Sequence, residues 1–152
     1  MRNLFIKFIL IFFIFSCGGG NDNGDDPVIP QTPAIIVDKT SISFDDTMVS
    51  KSSSASSILI ESKNVDSSLN ISSSDGFEIS FNNLDFSNSL TIEANQSKTV
   101  YVRFSPSKIQ TYNGNINIQN SQATDVKINL SGEGIQLKYN YKTFSKKRLA
   151  WG

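Results

Sequence analysis

The chain has no histidine and one cysteine, Cys17. Without histidine there is no Ser-His-Asp triad, and a single thiol cannot close an internal disulfide or build a multi-cysteine zinc site. Charged residues are sparse at 18%, with fourteen basic side chains against fourteen acidic ones. The only long apolar run lies ahead of Cys17, and five of the eleven phenylalanines lie there too, so any core further along must be built mainly from Ile, Val and Leu. What the chain does have is serine and asparagine, 24 and 15 of them. Both prefer turns and caps to helix interiors and are tolerated on solvated strand faces. The 152 residues suffice for one small β domain with an appendage, and they carry no reactive constellation.

The opening stretch, MRNLFIKFILIFFIFSC, places Arg2 and Lys7 ahead of an apolar run from Phe8 to Phe15, with the small Ser16 just before Cys17. That is the layout of a signal peptide. As a helix, Leu4 to Phe15 would rise only about 18 Å at ~1.5 Å per residue, short of the ~30 Å hydrocarbon core of a bilayer. Ser16 and Cys17 resemble the lipobox of bacterial lipoproteins, with Ile14 and Phe15 in place of its strict leucine and small residue, a looser form familiar in the Bacteroidota. The resemblance implies that residues 1–16 are removed, that Cys17 is lipidated, and that membrane lipid is a partner. One acyl chain anchors only marginally at about 0.8 kcal/mol per buried methylene, whereas a lipoprotein cysteine carries several chains. Gly18 is no inner-membrane retention signal in that family. The implied location is therefore the outer membrane, on its periplasmic or surface face.

Residues 17–34 hold the lipidated cysteine and a tether, GGGNDNGDDPVIPQTP, rich in Gly, Pro and Asp and without apolar periodicity. Its sixteen residues reach at most about 55 Å at roughly 3.3–3.6 Å each. Asn21 to Asp26 lacks the bidentate Glu and hydrophobic flanks of a calcium loop, so no metal is expected there. Residues 35–136 carry eleven acids and seven bases. That mildly acidic body argues against nucleic acid as a partner.

From Ala34 onward apolar residues recur at every second position, the period of strands with one buried face. Strands are predicted over 35–44, 56–62, 68–73, 77–81, 89–93, 99–104, 115–119 and 125–131. Val100, Val102 and Phe104 would face inward with Val126, Ile128 and Leu130, leaving Tyr101, Arg103, Lys127 and Asn129 outward. Asp75-Gly76 and Asn113-Gly114 are read as turns. The expected fold is all-β, an Ig-like β-sandwich of seven to eight antiparallel strands.

The run VYVRFSPSKIQTYNGNINIQN with VKINLSGEGI resembles the bacterial Ig-like ASH (Hydin-like) domains, also called choice-of-anchor D repeats. The resemblance rests on Val100, Val102, Phe104, Pro106, Tyr112, Gly114, Ile116 and Ile118, continues through Val126, Ile128, Leu130, Gly132 and Gly134, and includes Ile42, Phe44, Phe77 and Ile79 upstream. Pro106 is read as ending a strand, Gly114 as allowing a turn, Gly132 and Gly134 as letting the chain leave the sheet, and Tyr112 as tying its hydroxyl to backbone at a corner. These roles are structural, and no catalytic residue or cofactor is implied.

Residues 137–152 form a basic aromatic tail with five bases and no acid. Lys142 to Gly152 also resembles the opening strand of peptide-N-glycosidase F-type amidases, in which case the tail begins a further, truncated domain. Asp46-Thr47-Met48 fits the short acceptor pattern of Bacteroidota periplasmic O-glycosylation. Asp45 and Asp46 are strand-end neighbours whose side chains diverge, so they are no glycosidase pair. The leading expectation is a non-catalytic, lipid-anchored envelope module that spaces, docks or binds an envelope protein or glycan. The other is the anchor fragment of a secreted glycan-releasing amidase or another hydrolase.

Overall fold

The computed structural model describes residues 31–137. Cys17, the tether up to Pro30 and the tail from Lys138 lie outside the described residues. Ten strands follow one another: β1 (Ala34–Val37), β2 (Ser41–Ser43), β3 (Thr47–Met48), β4 (Ser56–Lys63), β5 (Leu69–Ser73), β6 (Phe77–Ser80), β7 (Ser89–Ile92), β8 (Ser97–Phe104), β9 (Thr111–Gln119) and β10 (Val126–Ile135). One sheet, here sheet A, has the order β1-β4-β8-β6; the other, sheet B, runs β2-β10-β9-β5-β7, with β3 also paired to β10. The Ig-like sandwich is as expected, but two features differ. The strands number ten, and β2 and β3 run parallel to β10.

Both differences come from the stretch read as one strand over 35–44. It breaks at Asp38, whose N–H reaches the Leu59 carbonyl at 3.3 Å and whose Oδ1 accepts the Leu59 N–H at 2.8 Å. These contacts hold the chain on sheet A. Two residues later the Thr40 carbonyl accepts from the Asn129 N–H at 2.9 Å, so the chain crosses to sheet B and runs beside β10. A third segment, Thr47–Met48, then pairs with Gly134 and Ile135.

The predicted alternation holds for the best strands. Val100, Val102, Phe104, Ile128 and Leu130 are buried, while Lys127 and Asn129 are exposed. Nine of the seventeen buried hydrophobic residues are isoleucines, which meets the expectation of an aliphatic core. One end of that core is aromatic. Phe77 and Phe104 have ring centroids 5.1 Å apart, Tyr112 meets Phe104 edge-on at 5.2 Å, and Phe44 lies 5.9 Å from Phe77.

The glycines divide between turn and close approach. Gly76 turns the chain as expected, at φ +85. Asn113-Gly114, by contrast, lies within β9 and makes no turn. A Cβ on Gly114 would sit 2.7 Å from the Ser74 Cβ and 3.1 Å from the Phe77 ring, so the missing side chain makes room for a neighbour. Gly132 and Gly134 likewise stay within β10 instead of releasing it; the Phe104 ring covers Gly132, and the Lys108 carbonyl approaches Gly134. Tyr112 does tie the corner. Its phenolic oxygen accepts the N–H groups of Ser107 at 3.1 Å and Lys108 at 2.9 Å. The neighbouring Ser107 hydroxyl and these backbone donors hold its ionisation below the usual tyrosine range.

Two stability outcomes follow. Asp at Val102 or Ile128 places an unpaired charge in the core, costing several kcal/mol against a total stability of about 5–15 kcal/mol, and should unfold the domain, whereas Lys127→Asp should shift the thermal midpoint little. Equal shifts at the two kinds of position would contradict the strand register. Tyr112→Phe leaves two N–H groups without their acceptor and should cost about 1–3 kcal/mol in denaturant unfolding.

Candidate interaction face

The two outer faces of the sandwich differ in chemistry. On sheet B most outward side chains are amides and hydroxyls, among them Asn115, Asn117, Asn129, Ser43 and Ser131, with the charged Lys127 and Glu133 on β10. Aromatic side chains do not occur among the outward positions of its strands, and the face is solvated up to Glu133, beyond which Met48 of β3 stands exposed beside Ile135. On sheet A, β8 turns Thr99, Tyr101 and Arg103 outward between β4 and β6. Tyr101 stands in register with Ser57 on one side and Ser80 on the other, while Leu59, 45% exposed, lies opposite Thr99.

Arg103 is fixed from two directions. Its Nε donates to Glu78 Oε2 at 2.7 Å, and its guanidinium carbon lies 3.9 Å from the centroid of the Phe86 ring. Both partners of the ion pair keep 30% of their side-chain surface exposed. A pair so open contributes at most about 1 kcal/mol, and cation–π stacking adds a similar amount. The arrangement therefore matters more for orientation than for stability. The alternation in sequence puts Arg103 and Lys127 outward as equivalents; Lys127 is simply solvated, whereas Arg103 is held.

Phe86 belongs to a loop, FNNLDF over 81–86, that the sequence suggests only as an Asn-rich connection. Asn82 organises it. Its Oδ1 accepts the N–H groups of Leu84 and Asp85, both at 2.9 Å, along with the Ser80 hydroxyl, and its Nδ2 donates to Asp85 Oδ2 at 2.7 Å. Asn83 takes a positive φ of 59, which asparagine tolerates. Ser87 then exchanges two backbone bonds with Ile79, covering part of the β6 edge. The result is a fixed loop that exposes 79% of Leu84 between Phe81 and Phe86. An apolar residue bracketed by aromatics after Asn-Asn was the available clue, since a merely solvated turn has no use for three large apolar side chains.

The other sequence-derived candidates fare differently. Cys17 and the amidase-like stretch from Lys142 lie outside the described residues. Thr47 is only 7% exposed, and its hydroxyl donates to the Asp45 carbonyl at 2.9 Å, so the folded chain does not offer it as a glycan acceptor. Among the described residues no group of three or more acidic, His or Cys side chains is placed to hold a metal ion.

A family model described as Cep192 domain 4 matches residues 32–135. Among solved structures, the chain is similar to an ASH or PapD-like domain of human CEP192, at 16% identity over 68% of this chain and 87% of that one, with a TM-score of 0.45. It is also similar to part of a Bacteroides ovatus GH5 xyloglucanase, at 16% identity over 70% of this chain and 20% of that one, TM-score 0.48. A third likeness is to the periplasmic chaperone SfaE, at 12% identity over 66% of this chain and 57% of that one, TM-score 0.41. These likenesses concern the fold alone. A comparison with curated proteins gave no match.

Asn82→Ala should free the Leu84 and Asp85 amides, each of which loses a bond worth about 0.5–1.5 kcal/mol. Amide exchange at those two positions should accelerate about tenfold while exchange in β8 is unchanged. Unaltered exchange at Leu84 would show that the loop is held by something other than Asn82.

Proposed function

The chain belongs to the Cep192 domain 4 family through residues 32–135, and from that premise we propose that it acts as a non-catalytic docking module of the cell envelope, held to the outer membrane by lipid on Cys17. The observation that carries the docking role is the outer face of sheet A, where Tyr101, Leu59 and the fixed Arg103–Phe86 pair adjoin the Leu84 loop. Tyrosine and arginine are the residue types that dominate protein interfaces, and they work best when ordered before the partner arrives. The lipobox-like Ser16-Cys17 and the tether supply the other half of the reading: an anchor, and enough chain to lift the domain off the headgroups. The amidase alternative draws on the tail alone and gains no support from the domain.

Two measurements test this reading. Cys17→Ser should move the protein from the membrane to the soluble fraction without changing its thermal midpoint, because the acyl chains supply the binding and Cys17 precedes β1 in sequence. Membrane retention of the serine variant would overturn the anchor. A photo-crosslinking residue placed at Leu84 in living cells should capture a protein partner, and the same residue at Asn117 on sheet B should not. Equal capture at both positions, or none at either, would overturn the assignment of the face.

A further inference from the structure

Along β10 the apolar positions change face. Ile128 and Leu130 point into the core with Gly132 and Gly134, while Lys127, Asn129 and Glu133 are exposed. From Ile135 the apolar residues occupy the odd positions instead, and the sequence continues the new phase with Leu137, Tyr139 and Tyr141. Because successive side chains of an extended chain alternate in direction, the side that is solvated up to Glu133 turns apolar at Ile135 and Leu137. Such a stripe needs a surface to lie on.

The structure supplies one. Met48, Val49, Ile109, Ile135 and Leu137 line an open groove of about 670 Å³ at the end of β10. Met48, Ile109 and Leu137 are 39%, 61% and 53% exposed, three of the seven large apolar side chains left exposed among the described residues, so the clustering exceeds the single scattered residues normal on a surface. The walls are tied to β10 and to each other by main-chain bonds: Val49 N–H to the Ile135 carbonyl at 2.9 Å, Gly134 N–H to the Gln110 carbonyl at 2.9 Å, and Ser50 N–H to the Pro106 carbonyl at 3.0 Å. The groove is thus preformed.

We propose that this groove seats the chain's own continuation, residues 138–144, with Tyr139 and Tyr141 laid against Ile109 and Met48. Leu137 is already one wall, so the segment starts at the site. Tyr139 is two residues on, within about 7 Å of chain at roughly 3.3–3.6 Å per residue. A segment tethered at zero distance presents itself at an effective concentration in the millimolar range or above, which a free partner would have to exceed. Tyrosine also suits a groove that is apolar at its base and open to water, since the ring buries while the hydroxyl stays wet. This inference does not rest on the lipid anchor or on the sheet A face.

The test is amide exchange on residues 17–152. Residues 139–144 should be protected at least about tenfold over an unstructured segment, Ile109→Asp should remove that protection, and Leu84→Asp, outside the groove, should leave it intact. Should Ile109→Asp also release β8, the pair Tyr139→Ser and Tyr141→Ser replaces it and must abolish the protection by itself. Free exchange of 139–144 in the unaltered chain would overturn the proposal, as would protection that survives the groove substitution. Protection that appears only as concentration rises, together with a dimer in sedimentation, would assign the groove to a second copy and equally overturn it.

Discussion

The contact on which the rest of the structure depends is the Phe104 ring lying on Gly132. A Cβ there would come within 2.8 Å of the ring, closer than real side chains approach, so the two sheets meet at this point only because β10 has no side chain to offer. With Phe104 seated, Tyr112 packs edge-on against it and Phe77 and Phe44 complete the aromatic end. Tyr112 in turn fixes the Ser107–Lys108 turn, which lies over Gly134 and forms one wall of the apolar groove. One missing methyl group thereby governs sheet approach, corner geometry and the surface outside them.

Strand β8 links that core to the candidate face. Its even-numbered residues Val100, Val102 and Phe104 are buried, and its odd-numbered Tyr101 and Arg103 face out. A slip of one residue would exchange the two sets and bury Arg103, so the core that specifies the register also positions the residues of the proposed docking face. Glu78 and Phe86 refine the placement by holding the guanidinium, and the Asn82 network holds Phe86's loop. Function on this face would need no moving part.

Alternation was the legible part of the fold, because a half-buried strand repeats every two residues whatever lies opposite. It located β4, β8 and β10 and the inward set that forms the core. The break at Asp38 was not legible, since what ends β1 is a partner, Leu59, twenty-one positions away. The glycines misled for a related reason: Gly114, Gly132 and Gly134 serve neighbours brought close by the tertiary fold, and only Gly76 owes its place to local backbone conformation. The tyrosine corner could be read because its hydrogen bonds span four and five residues and travel with the motif. Of the candidate face, the outward direction of Tyr101 and Arg103 was visible, while Phe86 beneath the guanidinium was not, because no spacing rule relates residues 86 and 103.

Under the proposed anchoring, any pull from the membrane enters the domain at β1, the first of the described strands. That strand lies at the edge of sheet A and is held by four residue pairs with β4. Its antiparallel bonds lie across the strand direction, so a load along the strand strains them together in shear instead of opening them one by one. Asp38 closes the far end of the ladder with both its backbone and its carboxylate on Leu59. Inward-facing Ile35 and Val37 add apolar packing against the core. A spacer must transmit such loads without exposing its core, and the break in the chain at Asp38 assists this: past Asp38 the chain transfers to sheet B, so that loss of β1 would leave β2 and its Ile42 in place beside β10.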